Sequence, residues 1–146
     1  MSLINFEHTI MVVDDDPDVL ELLGIRINLL FSWEVIKESN AMDALETLGK
    51  RDIPIVITDI NMPDMNGVDL LKNIKSLLKG TQVIVMTAGT STINCIDCFR
   101  HGATDFLVKP FSEEDVKKVL NNAMERIERW KQFIQHRKVG EGFVWR

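Results

Sequence analysis

The chain has 146 residues, of which 45% are hydrophobic and 27% charged, and a formal net charge of −5, as expected for one globular domain with a buried core. An acidic balance without a block of Lys and Arg argues against nucleic-acid binding by this chain. The sequence has neither an apolar run of about 18–20 residues nor a secretory signal pattern, which favours a cytoplasmic protein with no membrane partner.

Short apolar runs of β type alternate with amphipathic helical patterns five times along the chain. The predicted strands lie at residues 10–13, 33–36, 53–57, 83–86 and 106–108. The first, third and fourth runs are apolar almost throughout, which is typical of parallel strands covered on both faces. Right-handed crossovers then favour an α/β fold of (βα)5 type, a flavodoxin-like, doubly wound parallel five-stranded sheet in the order 2-1-3-4-5.

The predicted helices have recognisable ends. Capping residues begin four of them, namely Asp16, Asn40, Asn66 and Ser112. The third helix carries Val68, Leu71, Ile74 and Leu78 at helical spacing. The fourth helix is predicted from about Ser91 to His101, where Gly102 ends it.

The fifth helical pattern is unusually long and continues to about Lys138. A heptad seam runs through Val116, Leu120, Ala123, Ile127, Trp130 and Ile134. We expect the first three to pack on the core, and Ile127, Trp130 and Ile134 to lie beyond it as an exposed strip. The predicted division is therefore a domain of residues 1–125 and a helical extension or linker of residues 126–146. The extension would dock on its own domain, form a weak homodimer, or lead to an output domain.

Acidic side chains follow two of the predicted strands. In such a sheet, ligands bind beyond the carboxyl ends of the strands, near the switch point between strands one and three. Asp14 and Asp15 follow strand one, and Asp59 ends strand three. Converging carboxylates repel and favour protonation of one another, a conflict that a divalent cation removes. Mg²⁺ fits best, because it accepts a few carboxylates and leaves positions for phosphate oxygens.

Two further side chains complete a set suited to phosphoryl transfer. Thr87 follows strand four with a hydroxyl donor, and Lys109 follows strand five with a positive charge. Phosphoryl transfer needs an in-line nucleophile and neutralisation of the equatorial oxygens. Asp59 stands alone at its strand end and is the predicted nucleophile, whereas the Asp14/Asp15 pair is better placed to bind metal.

Four sequence blocks carry these residues, and together they resemble the receiver domain of two-component response regulators, a CheY-like domain. The blocks are VVDDD at 12–16, ITDINMPDMNG at 57–67, MTA at 86–88 and GATDFLVKPF at 102–111. The resemblance covers roughly residues 8–125. Any one block alone is a weak signal, but four in this order, each at a predicted strand end, are highly specific.

The resemblance implies a role for each acidic residue. Asp59 would accept a phosphoryl group from the phosphohistidine of a histidine kinase, from a phosphotransfer protein or from a small phosphodonor. Mg²⁺ would be held by Asp15, Asp59 and the backbone carbonyl of Asn61, with Asp14 acting mostly through a water molecule.

The resemblance also implies a switch. Thr87 and Lys109 would bind the phosphoryl oxygens, and Phe106 would rotate into space that Thr87 leaves. The surface of helix 4, strand 5 and helix 5 would then signal to an unknown output domain or protein. Gly89, two residues beyond Thr87, offers no side chain to control water attack on the phosphorylated form. Pro110 would follow Lys109 through a cis peptide bond.

Other functions fit the sequence less well. Phosphatases with an Asp nucleophile carry a D-x-D motif after their first strand, which Asp14 and Asp16 satisfy, but Pro17 replaces the expected continuation. A nucleotide carrier would need phosphate-binding amides where three aspartates stand. A receiver that acts only as an unphosphorylated docking module would have lost some of the site residues. The favoured protein is not an ordinary enzyme, although it catalyses its own phosphorylation and slow dephosphorylation.

Overall fold

The computed structural model describes residues 7–88 and 92–138, in which strands and helices alternate. The elements are β1 (Thr9–Val13), α1 (Pro17–Leu30), β2 (Glu34–Glu38), α2 (Ala41–Lys50), β3 (Ile55–Asp59), α3 (Gly67–Ser76), β4 (Gln82–Thr87), α4 (Thr92–Arg100), β5 (Asp105–Val108) and α5 (Glu113–Lys138). The predicted first residue of the fourth helix, Ser91, lies outside the described residues.

The five strands form one parallel sheet in the order β2-β1-β3-β4-β5, which confirms the predicted fold. Every residue of β1, β3 and β4 is buried, because these strands have neighbours on both sides and helices on both faces. β2 and β5 lie at the edges and are more exposed. This order brings the carboxyl ends of β1 and β3 side by side.

Alternate residues of each strand point to opposite faces of the sheet, which produces two core layers. Ile10 and Val12 pack in the layer that α1 and α5 complete. Met11 and Val13 pack in the layer of α2 and α3, to which Cys98 of α4 belongs. The site residues at the strand ends are thus held by a frame that is buried on both sides.

The predicted starts of α1, α2 and α3 are confirmed, but one helix end differs from the prediction. The side chains of Asp16, Asn40 and Asn66 each accept a backbone N–H of the first turn that follows. α3 ends at Ser76, and Leu78 is 89% exposed with a φ of 54°. The prediction that Leu78 continues the apolar side of this helix is therefore wrong, because the chain leaves the helix before that residue.

α5 has 26 residues, which makes it about 39 Å long at 1.5 Å per residue. Val116, Leu120 and Ala123 are buried in the core, as predicted. Ile127 is only 8% exposed and also belongs to this core, so the prediction that it lies beyond the core is wrong. Trp130 and Phe133 are 57% and 47% exposed and stack edge to face, with ring centroids 5.9 Å apart.

A hydrogen bond joins the sheet to the middle of α5. Gln82, the first residue of β4, is buried, and its amide Nε2 donates to the carbonyl oxygen of Ala123 over 2.7 Å. Neither α5 nor any other helix in residues 7–88 and 92–138 combines the length and apolar character needed to cross a membrane.

Candidate functional site

Three carboxylates converge at the carboxyl ends of β1 and β3. Asp14, Asp15 and Asp59 each offer one oxygen atom, and these atoms all lie within 4.8 Å of one another. Val13 pairs with Thr58 in the sheet, so the residues that follow them emerge next to each other. The topology of the sheet is thus what brings together residues 45 positions apart in the chain (59 − 14).

Lys109 supplies a positive charge to this cluster. Its Nζ lies 2.9 Å from Asp14 Oδ2 and 3.7 Å from Asp59 Oδ2. The backbone N–H of Lys109 donates to the Thr87 carbonyl over 2.7 Å, which fixes the start of the loop after β5 to the end of β4. The Lys109–Pro110 peptide bond is cis, as expected.

Burial and charge set the protonation of the site. Burial raises the pKa of Asp59, and the Asp14 carboxylate raises it further, while Lys109 and the backbone N–H groups of Asn61 and Ile60 lower it. For Lys109, burial by itself lowers the pKa, but the hydrogen bond that its ammonium donates to Asp14 and the charges of the surrounding aspartates outweigh burial and raise it. Lys109 therefore stays charged, and Asp59 ionises less readily than an exposed aspartate.

The charge balance leaves the cluster suited to a cation. Within residues 7–88 and 92–138, Lys109 is the cationic side chain whose nitrogen lies within 4.0 Å of Asp14 and Asp59. It hydrogen-bonds Asp14, which is almost fully buried, whereas Asp15 is exposed. Hard oxygen donors with excess negative charge, partly open to solvent, fit Mg²⁺.

The loop after Asp59 is closed at its base. The N–H of Gly67 donates to the carbonyl oxygen of Ile60 over 2.6 Å, and the N–H of Ile60 donates to Met86 over 3.1 Å. Ile60 and Met62 are buried in the core, while Asn61 between them is exposed. The N–H of Asn61 faces Asp59 Oδ1 at 3.4 Å.

The outer limb of the same loop is attached to a different helix. Asp64 Oδ2 accepts the N–H of Ala41 over 3.0 Å and that of Met42 over 3.2 Å. These are the first two residues of α2. The carboxylate thereby satisfies two N–H groups that have no partner within the helix.

Thr87 and Phe106 occupy different environments beside the site. Thr87 ends β4, one residue beyond Met86, which pairs with Asp59, and it is buried. Phe106 on the edge strand β5 is 61% exposed and pairs with Val85. Gly89, which is predicted to offer no side chain against water attack on the phosphorylated form, lies outside the described residues.

A sequence model described as the response regulator receiver domain matches residues 10–121. The chain belongs to this family. Receiver domains are components of two-component signalling and are generally not classical enzymes. Within that family, an acidic cluster such as Asp14, Asp15 and Asp59 is the part that binds Mg²⁺.

Relatives of this receiver domain come from bacteria and plants. The transcriptional regulatory protein GlrR of Escherichia coli strain K12 is 29% identical over 130 residues, which are 86% of this chain and 29% of GlrR. The two-component response regulator ORR1 of Oryza sativa subsp. japonica is 37% identical over 123 residues, 77% of this chain and 53% of ORR1. This receiver domain thus spans less than two thirds of these relatives.

A solved structure shares the fold. The chemotaxis protein CheY4 of Vibrio cholerae is 26% identical, with a TM-score of 0.74 over 82% of this receiver domain and 99% of that chain.

The receiver domain brings together most residues that the sequence singles out. The three aspartates lie within 4.8 Å of one another through their oxygen atoms, and Lys109 contacts Asp14 and Asp59. Thr87 and Asn61 are their neighbours in the sheet and the loop. The contact of Asp64 with α2 was not predicted. Its partners lie 22 and 23 positions earlier, and no spacing rule connects a loop residue to such a helix start.

Proposed function

We propose that this receiver domain accepts a phosphoryl group on Asp59 and thereby alters the surface formed by α4, β5 and α5. The observation that carries this proposal is the arrangement of three carboxylates and one ammonium group at the carboxyl ends of the strands. Carboxylate oxygens of Asp14, Asp15 and Asp59 lie within 4.8 Å of one another, and the Lys109 ammonium lies 3.7 Å from Asp59.

The proposed step is a phosphoryl transfer to a carboxylate. An Asp59 oxygen attacks the phosphorus atom and forms a P–O bond, while the P–N bond of the phosphohistidine breaks. The imidazole leaves with the electron pair and takes up a proton, so an acyl phosphate and a neutral histidine result. With acetyl phosphate, the bond that breaks is a P–O bond and acetate leaves. Lys109 and Thr87 are the proposed contacts of the phosphoryl oxygens.

Asp15, Asp59 and the Asn61 carbonyl are the proposed direct ligands of Mg²⁺, with Asp14 contributing mostly through water. When bound, the cation supplies neutralisation of charge on the phosphoryl oxygens. The exposure of Asp15 and Asn61 supports this assignment, since both are accessible from solvent. Few protein ligands are offered, so binding to the unphosphorylated domain should be weak.

The proposed switch uses Thr87 and Phe106. Attraction of the Thr87 hydroxyl to the new phosphoryl oxygens would open space beside β5, and the exposed Phe106 ring would turn into it. Because this is a shift of populations, the unphosphorylated domain should already sample the active form.

The partners and setting follow from the same proposal. The phosphodonor is a histidine kinase or a phosphotransfer protein in the cytoplasm, and the signal passes to an output domain or protein. The proposed division is a receiver unit of residues 1–125 and a helical extension or linker of residues 126–146, of which Ile127 still packs on the core of the receiver unit. The exposed Trp130, with Ile134 one turn on, supports weak pairing of this extension with a second copy.

Intact-mass spectrometry after incubation with phosphoramidate or acetyl phosphate tests the phosphoacceptor. We expect one phosphoryl adduct with Mg²⁺ and none after chelation. Asp59→Asn should abolish the adduct. Asp52→Asn is the matched control, because Asp52 is an exposed carboxylate that pairs with Lys79.

An adduct that survives in Asp59→Asn, or the absence of an adduct in the wild type with Mg²⁺, contradicts the proposal. Loss of the adduct in Asp52→Asn as well would show that the assay responds to general damage rather than to the phosphoacceptor.

A further inference from the structure

Asp64 is a loop residue whose side chain contacts the start of another helix. It lies five residues after Asp59, in the segment between β3 and α3, and it bonds the N–H groups of Ala41 and Met42. The N-terminus of a helix favours a negative charge, so a carboxylate is well suited to this position.

The loop of residues 60–67 is held at its base, along its inner limb and along its outer limb. The bond between Gly67 and Ile60 closes its base, and the buried Met62 side chain anchors its inner limb. Asp64 holds the outer limb against α2, beside Met65, which packs on the core layer of α2 and α3. The exposed Asn61 lies between the base and the Met62 anchor, so the direction of its carbonyl follows the shape of the loop.

We propose that Asp64 is a positioning residue for the metal site. It holds the loop in the conformation in which the Asn61 carbonyl can serve as a ligand, and it does so from outside the cluster of carboxylates. This inference rests on the proposed Mg²⁺-dependent phosphorylation of Asp59. Loss of a group that orients a metal ligand without touching the metal commonly weakens metal affinity by about tenfold or more.

A plain capping role makes a different prediction, and the chain offers a control for it. Asn40 caps the same helix, and its Oδ1 accepts the N–H of Asp43 over 2.8 Å. Asn40→Ala removes a cap of α2 but leaves the two hydrogen bonds that the helix N–H groups donate to Asp64. If Asp64 only stabilised α2, the two substitutions would affect the metal site equally.

The experiment is a Mg²⁺ titration of the full ¹⁵N-labelled chain followed by amide chemical shifts. We expect Asp64→Ala to raise the Mg²⁺ dissociation constant roughly tenfold. Asn40→Ala should leave it near the wild-type value. Asp64→Asn keeps one acceptor oxygen, so its Mg²⁺ dissociation constant should lie between those of the wild type and Asp64→Ala. Phosphorylation of Asp64→Ala by phosphoramidate should be slow at limiting Mg²⁺ and recover at saturating Mg²⁺.

A wild-type dissociation constant in Asp64→Ala, or an equal rise in Asn40→Ala, overturns the positioning role. If Asp64→Ala does not fold, Asp64→Asn decides by the same comparison. A wild type that neither binds Mg²⁺ nor takes up a phosphoryl group overturns the proposed function together with this inference. Failure of the proposed function can be told from failure of the positioning role, because it is seen in the wild type, before any substitution at Asp64.

Discussion

Gly67 is the position at which a single added methyl group should disturb both the fold and the site. A Cβ atom there would lie 2.5 Å from the Ile60 Cα, 3.0 Å from the Asp59 carbonyl oxygen and 3.1 Å from the Ile60 carbonyl oxygen. All three are backbone atoms that cannot rotate away. To accept Ala, the start of α3 must move from the end of β3.

The cost can be estimated from that geometry. Overpacking typically costs about 1–3 kcal/mol, and contacts with backbone put Gly67→Ala near the upper end. The better helix propensity of Ala returns up to about 1 kcal/mol, so we expect a net loss of roughly 2 kcal/mol. At about 3 °C per kcal/mol for a chain of this size, Tm should fall by about 6 °C.

Gly49 is the matched control. It lies in α2, and an added Cβ would meet nothing within 4 Å. Gly49→Ala should therefore stabilise the protein by about 0.5–1 kcal/mol and raise Tm by roughly 2 °C. Thermal unfolding followed by circular dichroism compares both variants with the wild type. A Gly67→Ala protein as stable as the wild type, beside a stabilised Gly49→Ala, would refute the reasoning from close approach.

Two other predictions follow from burial and exposure. Burial raises the pKa of Asp59, so the ionised carboxylate lowers stability as pH rises through the window between its unfolded and folded pKa values. Without Mg²⁺, Asp59→Asn should thus be more stable than the wild type at neutral pH, and the difference in free energy of unfolding should shrink in acid. Urea unfolding measures this difference, and a difference that does not change with pH would contradict the prediction. If the extension of α5 pairs, sedimentation should show weak, concentration-dependent dimers that Trp130→Glu with Ile134→Glu abolishes. The control variant, Gln132→Glu with Gln135→Glu, adds the same charge at exposed positions and should still form dimers. A wild type that is monomeric at high concentration excludes pairing.

The sheet and the convergence of the acidic residues could be predicted because both follow from short-range patterns. β1, β3 and β4 are apolar almost throughout, and this marks them as central strands whatever the details of packing. Once the strand order is set, Asp14 and Asp59 must emerge side by side. The roles of individual site residues came from the resemblance and remain proposals.

The predictions that were wrong or missing concern features that depend on tertiary packing. Ile127 continues a helical seam, and the sequence cannot show how far the end of the sheet covers that seam. Leu78 fits the apolar spacing of α3, but the helix ends at Ser76 and Leu78 itself adopts a left-handed conformation. The contact of Asp64 depends on where α2 lies relative to the loop, which only tertiary structure determines.

The hydrogen bond from Gln82 gives β4 a second role. The strand is six residues long, so Gln82 and Thr87 are separated by about 17 Å along its axis. One end carries the site hydroxyl, and the other donates to Ala123, one helical turn before Ile127, the last core residue of α5. A displacement of β4 along its axis would change the length of the Gln82–Ala123 bond, so this bond ties the position of α5 to the strand that ends at Thr87.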